Sequence, residues 1–173
     1  MEHLKYPIGK FEYGKSYTMQ DNLKHIEEIE RFPEELLSLV SKMDASLIEK
    51  SYRPGGWTGR QIINHLADSH LNAYVRTKLT LTEDTPTIKP YNQDAWANME
   101  DGKDGSFVNS LKVIDAIHAR WVYLLVTLKD RDFQRKYIHP EYKREFQLDE
   151  LLALYAWHCK QHYAHLKIIL DNK

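Results

Sequence analysis

Three histidines occupy one face of a helix that the sequence predicts near its C-terminus. The positions on this face step by three and four residues: Leu148, Leu151, Tyr155, His158, His162, His165 and Ile169. Burying an unpaired imidazole costs about 1–3 kcal/mol, so these rings need partners. His158 and His162 stand one helical turn apart, as two ligands of a single divalent cation do. Metal ligation is therefore the favoured interpretation, and a hydrogen-bonded core pair without metal is the alternative.

A second helix must supply a further ligand, because two imidazoles on one helix make a weak metal site. The segment 64–70 offers two candidates. His65 lies at the edge of the apolar face of its helix and His70 follows on the same side, so periodicity leaves both open. A set of three histidines leaves a coordination position for water, which is typical of a catalytic zinc site.

Other polar residues near these positions have more than one interpretation. His165 could ligate in place of His158, support a ligand from behind, or close the end of the face. Asp68, one turn from His65, could orient an imidazole, accept a proton, or simply be solvated. Cys159 points about 100° away from His158 and is predicted to be a buried structural thiol. The remaining histidines are predicted to be surface or structural residues: His3, His25, His118 and His139.

The composition is that of an ordinary globular chain. The 173 residues are 42% hydrophobic and 28% charged, and the formal net charge is −1. A nucleic-acid or anionic-membrane partner is therefore not expected. We expect a small-molecule substrate instead. Apolar runs are shorter than the roughly 18–20 residues of a membrane span, and a single cysteine suits a reducing compartment. We expect one cytoplasmic domain over residues 1–173.

Four amphipathic helices are predicted, and together they favour an all-α four-helix bundle. They cover residues 20–43, 58–81, 106–128 and 149–171. Asp21 or Asn22 is the expected N-cap of the first helix. Pro33 predicts that this helix is kinked or divided into two. Thr58 and Gln61 have the spacing of a capping box at the start of the second helix.

Two of the connections between these helices have features of their own. Residues 82–105 form a long polar segment, and its Tyr91 and Trp96 predict a loop that covers the site. The runs 137–140 and 144–146 predict a short β-hairpin. The expected fold is therefore a helical bundle with long loops and one hairpin.

Five short motifs follow one another from the first residues to the last helix. They are Tyr6-Pro7-Ile8-Gly9-Lys10-Phe11, Tyr52-Arg53-Pro54-Gly55-Gly56-Trp57-Thr58, Asn64-His65-Leu66-Ala67-Asp68-Ser69-His70-Leu71-Asn72-Ala73, Lys89-Pro90-Tyr91, and Leu154-Tyr155-Ala156-Trp157-His158 with His162 four residues on. Together and in this order, they resemble the YfiT-type metal-dependent hydrolases of the DinB-like four-helix-bundle superfamily. The resemblance implies that His65, His158 and His162 are the metal ligands. It also implies one zinc or nickel ion per subunit, a cytoplasmic location and a homodimer.

The residues and the resemblance leave three functions open. In the first, a hydrolase uses Zn²⁺ or Ni²⁺ on three histidines to activate water for attack on a small substrate. In the second, the metal holds a low-molecular-weight thiol, such as bacillithiol, as the thiolate for transfer to an electrophile. In the third, the metal only stabilises a binding module. No general base stands out beyond Asp68, so a metal-bound water is the expected catalytic group of the hydrolase.

Overall fold

The computed structural model describes residues 2–172, which form a helical bundle with one small hairpin. In chain order the elements are α1 (Glu2–Lys5), α2 (Met19–Val40), α3 (Ala45–Ile48), α4 (Gly59–Thr82), α5 (Gln93–Ala97), α6 (Glu100–Lys103), α7 (Phe107–Leu125), α8 (Asp130–Phe133), β1 (Lys136–His139), β2 (Arg144–Gln147) and α9 (Leu148–Asp171). The long helices α2, α4, α7 and α9 correspond to the four predicted ones. The predicted all-α four-helix bundle is confirmed.

The four long helices form a ring in which each packs against two others. Their order around the ring is α2, α7, α4, α9. Helices α2 and α4 are consecutive long helices in the chain but lie diagonally opposite, and so do α7 and α9. A connection between diagonally opposite helices must be long, and the chain provides such connections after α2 (residues 41–58) and after α7 (residues 126–147). The ring places α4 beside α9, and these two helices carry the candidate ligands.

The start of α2 differs from its prediction. The N-cap is Thr18, and neither Asp21 nor Asn22 has that role. The Thr18 hydroxyl accepts a hydrogen bond from the Asp21 amide, and the Asp21 carboxylate accepts one from the Thr18 amide. Asp21 is thus the distal partner of a capping box. Asn22 is buried inside the first turn of the helix.

Pro33 lies inside a single continuous helix, so the division of α2 into two helices was a wrong prediction. A proline removes one intrahelical hydrogen bond, and here the burial of Phe32 and Leu36 on either side offsets that loss. The helix ends at Val40, three residues before the predicted end. Helix α7 likewise ends at Leu125, short of the predicted residue 128.

The capping box predicted for α4 is confirmed. The Thr58 hydroxyl accepts from the Gln61 amide, and the Gln61 side-chain oxygen accepts from the Thr58 amide. The Gln61 side-chain nitrogen also donates to the backbone carbonyl of Ala97 in α5. Gln61 therefore fixes both the start of α4 and the loop that follows the helix.

Two apolar clusters fill the bundle, and buried histidines lie between them. One cluster contains Ile29, Trp121 and Tyr155, and the other contains Phe32 and Leu66. Along each long helix, the buried residues pass from one cluster to the other within about two turns. The buried polar residues at this level include His70 on α4 and His118 on α7. The interior of the bundle thus has a polar layer that must satisfy its own hydrogen bonds.

The predicted hairpin is confirmed, and the long connection after α4 has short helices of its own. Strands β1 and β2 are antiparallel, with Tyr137 opposite Phe146 and Ile138 opposite Glu145. Helices α5 and α6 lie within the 82–105 connection and pack against α4. Within residues 2–172, no helix is both long enough and apolar enough to cross a membrane.

Candidate metal centre

Helices α4 and α9 bring three imidazoles together. His65 of α4 and His158 and His162 of α9 each offer a ring nitrogen, and these nitrogens all lie within 4.8 Å of one another. The Nε2 atoms of His65 and His158 are 3.2 Å apart. Rings on adjacent turns of α9 meet a single ring from α4 because the two helices pack side by side.

The donor set fits a zinc-like ion. Two nitrogen ligands that stand 2.0–2.1 Å from one tetrahedral zinc are about 3.3 Å apart, close to the separation of the His65 and His158 Nε2 atoms. His65 and His162 are buried, whereas His158 is partly exposed. Trp57 packs against the rings of His65 and His162, with centroids 4.7 and 6.3 Å away. Trp57 therefore lies directly beside two of the three candidate ligands.

Burial keeps the three imidazoles neutral at pH 7. It lowers the pKa of His65 to about 4. Burial and the neighbouring imidazoles together hold the pKa values of His158 and His162 well below the ordinary value for histidine. A metal ion binds the neutral ring, so the site needs no deprotonation near pH 7.

The structure separates the two histidines of α4 that periodicity left open. His65 meets His158 and His162, as the resemblance implies. His70 lies behind them, with its Nε2 atom 3.1 Å from His158 Nδ1 and its Nδ1 atom 2.6 Å from Nε2 of His118. His70 is fully buried and does not share the cluster of three rings.

His165 stands behind the other ligand candidate of α9. Its Nδ1 atom is 3.3 Å from Nδ1 of His162, and its Nε2 atom is 3.1 Å from the backbone oxygen of Lys5. The ring stacks on Tyr52, with centroids 4.1 Å apart. Of the three roles considered for His165, the geometry corresponds to support of a ligand from behind.

His118, predicted from the sequence to be a surface or structural residue, is buried on α7. It is 1% exposed, and its Nδ1 atom is 2.6 Å from the backbone oxygen of Ile29. Together with Ile114, Trp121 and Leu125, it steps by four, three and four residues along the buried face of α7. That spacing is the signal that would have placed it in the interior.

The other polar residues are placed as follows. Cys159 is buried as predicted, with a sulfur near His70 and His118. His3 is exposed, and His25 is half-buried against Tyr17. His139 ends β1.

Asp68 lies at the margin of the site. Burial, with a smaller contribution from the nearby Asp101 charge, raises its pKa to about 6. In the part of the chain that the structure describes, its carboxylate lines neither of the cavities at the site.

Two cavities border the candidate centre, and His158 and Gln93 line both of them. The tyrosine cavity, of about 510 Å³, also contains Arg76 and Ser69 and is named for these side chains: Tyr13, Tyr91, Tyr137, Tyr142 and Tyr155. The tryptophan cavity, of about 700 Å³, is bounded by Trp57 and Trp157 and also contains Arg53 and His162.

The loop 82–105 contributes to both cavities. Tyr91 lines the tyrosine cavity, and Asp94 and Asn98 line the tryptophan cavity. Trp96 packs against Tyr91 in a tilted arrangement, with ring centroids 4.5 Å apart, and remains 39% exposed. The loop therefore borders the site as predicted, but Trp96 supports Tyr91 from outside and lines neither cavity.

The fold and the site define a four-helix-bundle protein with a three-histidine candidate metal centre. A sequence model described as the DinB superfamily matches residues 28–166. This match covers most of the chain, and the chain belongs to the DinB superfamily.

Relatives in this family carry names that refer to a metal. The chain is 42% identical over 164 residues to "Putative metal-dependent hydrolase YfiT" of Bacillus subtilis (strain 168), covering 95% of this chain and 92% of that protein. It is 43% identical over 172 residues to a protein of the same description from Bacillus mycoides (strain KBAB4), covering 99% and 98%.

A solved structure matches the fold closely. It is described as YfiT from Bacillus subtilis, "a probable metal-dependent hydrolase with an unusual four-helix bundle topology". The TM-score is 0.95 at 40% identity, and the match covers 98% of this chain and 97% of that one. The YfiT-type resemblance seen in the sequence motifs is confirmed.

Proposed function

We propose that this protein is a metal-dependent hydrolase whose single ion, Zn²⁺ or alternatively Ni²⁺, is held by His65, His158 and His162. The observation that carries the proposal is the approach of three neutral ring nitrogens to within 4.8 Å beside two cavities. When bound, such an ion lowers the pKa of a coordinated water to about 7 and supplies a nucleophile for a polarised carbonyl or similar group.

The side chains around the centre position a substrate and control its protons. Trp57 packs against His65 and His162 and restricts the orientation of both rings. Burial raises the pKa of Tyr91 to about 12 and also raises that of Tyr155. Both phenols therefore keep their protons at pH 7 and can donate hydrogen bonds to a substrate oxygen in the tyrosine cavity. No general base is assigned, because Asp68 lines neither cavity among the described residues.

The ligand assignment is tested by measuring the metal content of purified protein. We expect one ion per subunit in the wild type and less than a tenth of that in His162→Ala. His25→Ala, which removes a half-buried histidine that is not part of the cluster, is the matched control and should keep its metal. Stoichiometric metal in His162→Ala would overturn the assignment. Hydrolysis is tested with a panel of small esters and amides, in which turnover must disappear with the metal.

A thiol S-transferase is the second candidate, and one observation favours it. Two separate cavities meet at His158, which suits a reaction with two substrates. In that reaction the thiolate would occupy one cavity and the electrophile the other, with Zn²⁺ favouring the thiolate form. Incubation of the metal-loaded protein with an epoxide, with and without a low-molecular-weight thiol, separates the two functions. Turnover that requires the thiol favours transfer, and ester or amide hydrolysis without thiol favours the hydrolase.

Three further properties are part of the proposal. We propose that residues 1–173 act as one domain, that the protein is a homodimer, and that it acts in the cytoplasm. Exposed apolar side chains such as Tyr123 and Val126, 77% and 58% exposed, support an interface between subunits. Size-exclusion chromatography with light scattering tests the dimer, and a single coincident unfolding transition tests the single domain.

A further inference from the structure

A chain of hydrogen bonds crosses the whole bundle behind His158. It runs from His158 Nδ1 to His70 Nε2 at 3.1 Å, from His70 Nδ1 to His118 Nε2 at 2.6 Å, and from His118 Nδ1 to the Ile29 backbone oxygen at 2.6 Å. These four residues come from α9, α4, α7 and α2. Every long helix of the bundle therefore contributes one member.

The direction of each hydrogen bond follows from the last acceptor. A carbonyl oxygen only accepts, so His118 Nδ1 must carry the proton that it donates to Ile29. A neutral imidazole has one N–H, and thus His118 Nε2 accepts from His70 Nδ1. His70 therefore carries its single proton on Nδ1, so its Nε2 atom accepts from His158 Nδ1. The proton of His158 is therefore on Nδ1, and its Nε2 lone pair faces the candidate centre.

A second, shorter chain leads to the same result at His162. His165 Nε2 lies 3.1 Å from the backbone oxygen of Lys5 and 3.4 Å from the side-chain nitrogen of Gln161, which itself donates to that oxygen at 2.7 Å. Because the contact with the oxygen is the shorter one and a carbonyl oxygen only accepts, His165 Nε2 is the donor and His165 Nδ1 is an acceptor. It accepts from His162 Nδ1 at 3.3 Å. The proton of His162 is again on Nδ1, and its Nε2 lone pair is free.

Both terminal carbonyls are ones that a helix leaves without a backbone donor. In α2 the Ile29 carbonyl would accept from the residue four positions on, which is Pro33 and has no N–H. In α1 the Lys5 carbonyl belongs to the last residue of the helix, where carbonyls have no intrahelical partner. Pro33, which the sequence marks only as a helix breaker, thus frees the acceptor that orients the longer chain.

We propose that these two chains preset the tautomers of His158 and His162, with Nδ1 protonated and Nε2 bare, before any metal binds. This inference rests on the proposed metal site for its purpose, but the tautomers exist without metal. The preset tautomers of His158 and His162 have a consequence for the third ring, that of His65. With a bare Nε2 on His158, the contact of 3.2 Å makes His65 Nε2 the donor in the metal-free protein. His65 is therefore the only one of the three rings that must change tautomer when the ion arrives.

The tautomers can be read directly by long-range ¹H–¹⁵N NMR of the metal-free wild type, with assignments from His→Gln variants. We expect His158 and His162 to be protonated at Nδ1 and His65 at Nε2. If His158 or His162 carries its proton on Nε2, the proposal is wrong. This measurement needs neither metal nor activity, and once the signals are assigned the wild type alone shows one tautomer or the other at His158 and His162.

Matched variants test what the longer chain does for metal binding. In His118→Gln the amide can accept from His70 and donate to Ile29, whereas His118→Leu can do neither. We expect the Zn²⁺ dissociation constant, measured by chelator competition, to rise 10–100-fold in His118→Leu and to stay within about threefold of wild type in His118→Gln. His165→Leu and His165→Gln repeat the comparison for the shorter chain, and His25→Gln is the control outside both chains.

The outcomes separate this inference from the proposed function. Equal dissociation constants for wild type and His118→Leu would overturn the presetting role. Equal losses in the Leu and Gln variants would also overturn it, because packing alone would then explain the effect. A wild type that shows the expected tautomers but binds no Zn²⁺ or Ni²⁺ would support the hydrogen-bond chains and overturn the metal-dependent function.

Discussion

Acid should destabilise the metal-free protein steeply, because the folded protein holds five imidazoles in neutral form. Burial lowers the pKa values of His65 and His118 to about 4, and those of the other three lie well below the ordinary 6.5. The unfolded chain binds more protons than the folded one as the pH falls below about 7, so folding stability falls with pH. The stabilisation is complete well above pH 6.5 and is lost progressively towards pH 4. The five rings are His65, His70, His118, His158 and His162.

The size of the effect follows from proton linkage. Between pH 7.0 and 5.5, each ring that stays neutral when folded and has an unfolded pKa of 6.5 costs about 1 kcal/mol of folding stability. Five rings together cost roughly 5–6 kcal/mol, which is comparable to the whole stability of a small domain. Asp68, with its pKa raised to about 6, acts in the opposite direction. It is partly exposed, so its offset is below about 1 kcal/mol.

The assay is urea unfolding followed by circular dichroism in the presence of a chelator, at pH 7.0, 6.5, 6.0 and 5.5. We expect the free energy of unfolding to fall by about 5 kcal/mol over this range. His118→Gln removes one of the five titrating rings and should reduce the fall by about 1 kcal/mol, whereas substitution of the exposed His3 by Gln should leave the fall unchanged. A fall of less than about 2 kcal/mol in the wild type would refute the reasoning, because at most one or two of the rings could then be neutral and buried.

Three substitutions test the packing and capping that position the site, each by urea unfolding at pH 7.5. Thr58→Ala breaks the capping box of α4 and should cost about 1 kcal/mol, whereas Thr58→Ser should cost less; equal costs would show that the hydroxyl does not cap. Trp121→Ala empties a fully buried position and should cost about 3–5 kcal/mol; a cost below about 1 kcal/mol would contradict its place in the core. Arg144→Met leaves the buried Glu150 carboxylate without its arginine partner and should cost about 2 kcal/mol. Glu150→Gln in that background should recover part of the loss, and no recovery would mean that the charge is not the cause.

Much of the bundle could be predicted from local patterns. Helical periodicity located all four long helices, and the Thr58–Gln61 spacing located the start of α4. The ends of the helices were harder to predict, because several neighbouring residues are able to cap a helix. At the start of α2, Thr18 is the N-cap and Asp21 is not. The Thr18 hydroxyl accepts a hydrogen bond from the amide of Asp21, the third residue of the helix, and the Asp21 carboxylate accepts one from the Thr18 amide. The end of α2 depended on Asp44, which caps α3 and so separates the two helices.

The candidate site could be predicted only up to the pair His158 and His162, because their spacing on one helix is a local property. Periodicity could not choose between His65 and His70, which both face inward from α4, since the choice depends on how far α4 is rotated and displaced against α9. The family resemblance pointed to His65, and the structure brings that ring into the cluster.

The sequence by itself determined the residue types, the helices and which face of each helix is apolar, because these depend on neighbours within one or two turns. Only the tertiary structure decided that α9, α4, α7 and α2 meet at one level, and hence that His70 and His118 connect His158 to Ile29. The physical reason is that a buried imidazole is satisfied by whichever polar atom the packing brings within about 3 Å. In this protein those atoms belong to His118, His70 and Ile29, which lie 40, 88 and 129 positions before His158 in the chain.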